Sequence, residues 1–130
     1  MLKKLTTLPV FATVLLTGCS SGSESAMNLD AAEFQAKTQE ADVVILDVRT
    51  RGEFNEGHIA NAINIDVESD SFMNEIAKLD KSKTYAVYCR SGRRSADAIA
   101  KMSNEQFISL ANLNGGVIDW SNAGLPLVTP

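Results

Sequence analysis

At 130 residues, 45% of them hydrophobic, the chain has material for one ordinary core and too little length for two comfortable domains. Its 16 acidic residues outnumber 12 basic ones, a net charge of -4 that sets nucleic acid aside as a partner. One histidine and two cysteines are too few for a structural zinc site, which wants four soft or imidazole ligands.

The first segment, "MLKKLTTLPVFATVLLTGC", has a basic start at Lys3 and Lys4, an apolar stretch from Leu5 to Leu16, and small residues leading to Cys19. That is the layout of an export signal. The apolar stretch falls short of the roughly 20 residues a membrane-spanning helix needs, and Thr6, Thr7 and Pro9 interrupt it. "LTGC", Leu16 to Cys19, resembles the lipobox of bacterial lipoproteins, in which cleavage leaves the cysteine N-terminal and lipid is attached to its sulfur. The resemblance implies a signal peptide over residues 1–18, lipid on Cys19 as the membrane contact, and a place in the bacterial cell envelope facing the periplasm. Ser20 after the cysteine matches the form sorted to the outer membrane. Residues 20–26, "SSGSESA", have too little apolar surface to pack, so residues 19–27 are expected to be a lipidated cysteine and a flexible tether. Loss of residues 1–18 removes Lys3 and Lys4 and no acid, which leaves 10 basic against 16 acidic residues and a net charge of -6. With Cys19 lipidated, Cys89 has no partner for an internal disulfide.

The domain is expected over residues 28–130. Asp30, with Glu33 three residues on and Leu29 before it, forms a capping-box pattern that predicts a helix over 31–38. The apolar run from Val43 to Leu46 reads as an interior strand of a parallel sheet. "RGEFNEGHI" predicts a helical turn closed by Gly57, and "AINI" a short strand. The spacing of Phe72, Ile76 and Leu79 predicts a helix over 69–78. Thr84 to Tyr88 is a third strand running straight into Cys89. "SADAIAKM" continues as a helix beginning near Arg94, with Ala96, Ile99, Ala100 and Met102 inward, and "FISL" gives another strand. "NGGVIDWSNAG" is a turn and a last short helix in which Trp120 belongs to the core. Strands alternating with helices indicate a three-layer α/β fold on a mostly parallel sheet. Ligands in such sheets sit beyond the C-terminal ends of the strands, where Cys89 lies.

In "YCRSGRRS", residues 88–95, Gly92 can take the positive φ that wraps the chain, so that the amides of residues 90–95 point at one spot. The helix beginning near Arg94 adds its positive end there. Such a cradle lowers a thiol's pKa and makes Cys89 a nucleophile, whereas a packed core cysteine would more commonly be followed by apolar residues. All five arginines lie in two stretches, Arg49 and Arg51 in one and Arg90, Arg93 and Arg94 in the other. This segregation suggests a local anion site, since guanidinium groups bind oxyanions at two points; a solvated face is the alternative for Arg49 and Arg51. Asp47 and Arg49 either line the site or fix its loop, through an Arg49 pair with Asp47 or Glu53. His58 reads as structural rather than as the base of a Cys-His pair, because a thiolate needs none.

"LDVRTRGEFNEGHIANAINI", "VYCRSGRRS" and "NLNGGVIDWSNAGLPL" together resemble a single rhodanese domain, the sulfurtransferase fold, across nearly all of residues 28–128. The resemblance implies a three-layer α/β/α fold on a mostly parallel five-stranded sheet. It implies that Cys89 takes a sulfane sulfur from a small anionic donor such as thiosulfate, or from a persulfide. The sulfur is then held as a Cys89 persulfide and passed to a thiol or cyanide acceptor. Substrate is expected to be bound by Arg90, Ser91, Gly92, Arg93, Arg94 and Ser95, and no cofactor or metal is implied. Within this loop Arg94 is placed to reach back over the cradle to the oxyanion end of a donor, and Arg90 to face solvent. Asn61 and Gln106 stand where that family often has glycine. Glu53 and Ser91 stand where its two-domain thiosulfate enzymes carry arginine and lysine. Two alternatives have distinct signatures. A phosphatase of the cell-cycle-control kind resembles a cysteine, five residues, then arginine, which would require arginine at the position of Ser95. A tethered module without turnover would usually lack the cysteine or the loop glycine, and both are present.

Overall fold

A computed structural model describes residues 26–130. The expected signal peptide, Cys19 and the tether up to Ser25 lie outside the described residues. In chain order the elements are β1 (Met27–Leu29), α1 (Ala31–Thr38), β2 (Val43–Asp47), α2 (Arg51–Glu56), β3 (Ile63–Asn64), α3 (Phe72–Ile76), β4 (Thr84–Tyr88), α4 (Arg93–Asn104), β5 (Ser109–Leu113) and α5 (Gly116–Asn122). The strands form one sheet in the order β1-β5-β4-β2-β3, with every neighbouring pair parallel.

Strand alternation divides the core in two. On one face of the sheet Tyr85, Val87 and Cys89 of the β4 segment join Leu46 and Leu110 against Phe72 and Ile76 of α3 and Ala98, Ile99 and Met102 of α4. On the other, Ala86 and Tyr88 join Ile45 and Leu113 against Ala31 and Phe34 of α1 and Trp120 of α5. Helices therefore cover both faces, which is why the central strands read as continuous apolar runs. The predicted capping box is present: Glu33 N–H donates to Asp30 Oδ1 at 2.8 Å and Asp30 N–H to Glu33 Oε1 at 3.2 Å.

Several boundaries differ from expectation. β1 starts at Met27, in residues read as the end of the tether, and three residues are too few for periodicity to reveal a strand. "AINI" contributes only Ile63–Asn64, and the helix predicted over 69–78 is regular only over Phe72–Ile76. The strand expected at "FISL" begins two residues later, at Ser109, because Gln106 has a positive φ of 73° and Phe107 turns into the core first. In α4 the inward set is Ser95, Ala98, Ile99 and Met102; Ala96 and Ala100 are exposed. A polar residue, Ser95, thus occupies the first buried turn beside Cys89.

Candidate active site

β4 is the middle strand of the sheet, and it delivers Cys89 to the C-terminal edge with 1% of its surface exposed. Gly92 follows at φ 99° as the N-cap of α4, and its N–H donates to Cys89 Sγ at 3.1 Å. A side chain here would strike the Asn114 carbonyl, so glycine is required for space as well as for φ. The Ser95 hydroxyl lies 3.3 Å from the same sulfur. The loop's carbonyls are drawn the other way: Val117 N–H donates to the Cys89 carbonyl at 3.0 Å and Ile118 N–H to that of Arg90 at 3.1 Å. Close passage of Gly116 over Arg90 makes this clasp possible, since a Cβ on Gly116 would meet the Arg90 backbone. Carbonyls held outward leave amides inward, an anion-binding cradle built from main chain.

Burial, the largest influence on Cys89, raises its thiol pKa, but hydrogen bonds from the Ser95 hydroxyl and from the Ser95, Gly92 and Ser91 amides outweigh it. The net direction is downward. The sulfur is therefore buried and yet ionises more readily than a free cysteine.

The arginines are arranged differently from the linear pattern. Arg49 is 5% exposed and pairs with fully buried Asp47 through Nη2 and Oδ2 at 2.7 Å. Its Nη2 also donates to the Gly57 carbonyl at 2.7 Å, and its guanidinium lies over the Tyr88 ring. Of the two sequence readings the loop-fixing pair is observed, with Asp47 and not Glu53. Glu53 instead grips Arg94, with Nη1 donating to Oε1 at 2.8 Å and Nη2 to Oε2 at 2.9 Å. These hydrogen bonds from Arg94 hold the Glu53 carboxyl down at about 2 and raise the Arg94 guanidinium.

Two grooves flank the loop. One, of about 640 Å³, is lined by Ser91, Arg93 and Arg94 with Glu68 and Asp97; the other, of about 510 Å³, by Arg49 and Arg90 with Glu53 and Glu56. Arg90 and Arg93 are exposed, as expected for Arg90. Each groove holds as many acids as arginines, so the mouth is charge-balanced rather than purely cationic.

His58 stacks on Phe54 with ring centroids 3.7 Å apart, and its Nδ1 donates to the Phe54 carbonyl at 3.0 Å; it serves the α2 turn. Trp120 is buried, and its Nε1 donates to the Pro126 carbonyl. Two participants escaped the sequence reading. Asn112 of β5 accepts from Ser95 Oγ at 2.7 Å, and Asn28 of β1 accepts from Asn112 Nδ2 at 3.1 Å. The available signal was Asn112 within the otherwise apolar run "LANL".

Comparison with known proteins agrees with this geometry. The family model for the rhodanese-like domain matches residues 30–123. A sulfurtransferase of Allochromatium vinosum is 34% identical over 89 residues, which cover 68% of this chain and 81% of that protein. A tRNA uridine(34) hydroxylase of Cytophaga hutchinsonii is 36% identical over 72% of this chain, but the match spans only 31% of the hydroxylase. The crystal structure of a rhodanese-related protein from Thermoplasma volcanium is 31% identical, with a TM-score of 0.71 over 80% of this chain and 99% of its own. With the cysteine loop, the parallel sheet and these matches in agreement, the chain belongs to the rhodanese-like domain family.

Proposed function

We propose that the protein is a sulfurtransferase that carries a sulfane sulfur on Cys89. One observation supports this above the others: main-chain amides and the Ser95 hydroxyl converge on a buried sulfur whose thiol pKa they lower. The Cys89 thiolate attacks the outer sulfur of a donor such as thiosulfate or a thiol persulfide. The donor's S–S bond breaks, and its electron pair leaves with sulfite or with the thiolate. The Cys89 persulfide, its charge on the outer sulfur, is then attacked by cyanide or an acceptor thiolate. Thiocyanate or a new persulfide departs, and the Cys89 thiolate is restored. Ser95, fully buried beneath the sulfur, occupies the place where a phosphatase loop of the cell-cycle-control kind would carry its arginine.

Intact mass after incubation with thiosulfate, and separately with a thiol persulfide, should show the gain of one sulfur atom in the wild type and none in Cys89→Ser. Sulfite should appear when thiosulfate and cyanide are supplied together. A Cys89→Ser protein that still gains sulfur and turns over would remove the proposal.

The proposal extends to location: lipid on Cys19 holds the domain in the cell envelope, facing the periplasm, at the outer membrane. The "LTGC" pattern supports this. Wild-type protein should fractionate with membranes and Cys19→Ser should not; a wild type found soluble and unlipidated would refute the anchor.

A further inference from the structure

Ser95 has one hydroxyl proton and three acceptors around it: the Cys89 sulfur at 3.3 Å, the Gly92 carbonyl at 3.1 Å and Asn112 Oδ1 at 2.7 Å. A hydroxyl donates once. Along the shortest contact the proton goes to Asn112, and a neutral sulfur is left with backbone donors; the hydroxyl serves the thiolate only where that proton turns to it. Asn112 is 7% exposed, and its Nδ2 donates to Oδ1 of Asn28, its direct partner in the β1–β5 ladder. Asn28 is exposed, and among the described residues no other hydrogen bond holds its side chain.

The same heavy-atom positions admit a second arrangement. The oxygen and nitrogen of an amide exchange places on half a turn about the terminal side-chain torsion. If both Asn28 and Asn112 turn, Asn28 Nδ2 donates to Asn112 Oδ1, Asn112 Nδ2 donates to Ser95 Oγ, and the Ser95 proton is freed from Asn112; of its two remaining acceptors, a charged sulfur draws it more strongly than the Gly92 carbonyl. Asn112 alone cannot turn cheaply, because its oxygen would then face that of Asn28.

We propose that Asn28 and Asn112 are positioning residues for Cys89, forming with Ser95 a reversible relay that gives the Ser95 proton to a charged sulfur and withdraws it from a neutral one. The first arrangement suits the thiol, whose S–H can donate to Ser95 Oγ. The reversed one suits the thiolate, which gains a hydroxyl donor. No proton changes owner within the relay; each hydrogen bond changes direction, and the thiol proton itself leaves through solvent.

The inference rests on Cys89 being the reactive thiol, but its test needs no sulfur donor. Asn28→Asp makes residue 28 acceptor-only and fixes Asn112 in the orientation that takes the Ser95 proton. The charged groups on the elements around the sulfur are Arg94 with Glu53, Arg49 with Asp47, Arg90 and Arg93 in the loop, Glu68 and Asp97 in the groove with Arg94, and Asp119 beside Gly115. All are common to every variant compared. In the full-length chain, the pH dependence of iodoacetamide alkylation, read by mass spectrometry at the Cys89 peptide, gives the midpoint of thiol ionisation. Asn28→Asp should raise that midpoint by about one unit, the weight of one hydrogen bond to a charged acceptor. Ser95→Ala should raise it similarly, and the double variant should lie no higher than Ser95→Ala. An Asn28→Asp shift of equal size in the Ser95→Ala background would mean that the new charge acts through space, which overturns the relay. An unmoved midpoint with Ser95 intact overturns it too. Because Asn28 is exposed on an edge strand, the substitution leaves the core untouched. Loss of sulfur transfer with the midpoints as expected would reject the proposed reaction and keep the relay.

Discussion

Between the two grooves the Glu53 carboxylate holds both terminal nitrogens of Arg94, so an anionic donor must compete with it or bind elsewhere. Glu53→Gln should release that charge. The expected result is a kcat/KM for thiosulfate raised about three- to fivefold, the scale of one partly screened charge interaction, with a thiol persulfide changed by less than about twofold. Steady-state kinetics with both donors check this, and the gain should vanish when Arg94→Ala is added. Cys89 and Gly92 were legible in the sequence because their roles follow from local order: a strand end, a turn glycine, a helix start. The partners of Arg94 and Ser95 were not, since Glu53 lies 41 residues from Arg94 and Asn112 lies 17 from Ser95. Arginines segregated along the chain meet acids brought in by α2 and by the turns of the fold, so linear clustering overstated the positive charge of the site.

Of the three described residues that bear a left-handed backbone without being glycine, Asp42, Asn61 and Gln106, two lie in turns where the family often has glycine: Asn61 at φ 68° before β3 and Gln106 at φ 73° after α4. These are the positions where the sequence departs from glycine, and the positive φ is the physical reason for the family's preference. Asparagine tolerates that region, whereas glutamine gains nothing there. Gln106→Gly should therefore stabilise the protein by about 0.5–1 kcal/mol, the strain relieved less the added chain entropy, read by chemical denaturation. Gly92→Ala should do the opposite: its Cβ meets the Asn114 carbonyl, so the loop must shift and sulfur loading should fall even where the protein melts as a folded unit. The long strands and the capped helix were legible because burial on both faces and the Asp30–Glu33 box leave local marks. The three-residue β1 and two-residue β3 leave none, since they exist only through pairing with β5 and β2. "FISL" misled because apolar content does not mark where the turn at Gln106 ends.

For the molecule as a whole, the Glu53 pair ties α2 to the start of α4 and links stability to pH. Glu53 is depressed from 4.5 to about 2, so its contribution is present above 4.5 and is lost as pH falls through 2. Part of that contribution is screened, because both side chains are partly exposed. The melting temperature of the wild type should exceed that of Glu53→Gln at neutral pH, and the gap should close as the pH is brought down to 2. The burial of Cys89 has a consequence for life in an oxidising compartment, where the proposed anchor would hold it. Disulfide exchange demands that the attacking and leaving sulfurs line up at close range, and bulky disulfides cannot bring theirs to a sulfur recessed below the surface. On the proposed function, the unloaded thiol is thus shielded from glutathionylation and mixed-disulfide traps by reach rather than by low reactivity. The proposed loading would place a second sulfur about 2 Å from Sγ, so an atom nearer the surface would exist only while there is cargo to hand on.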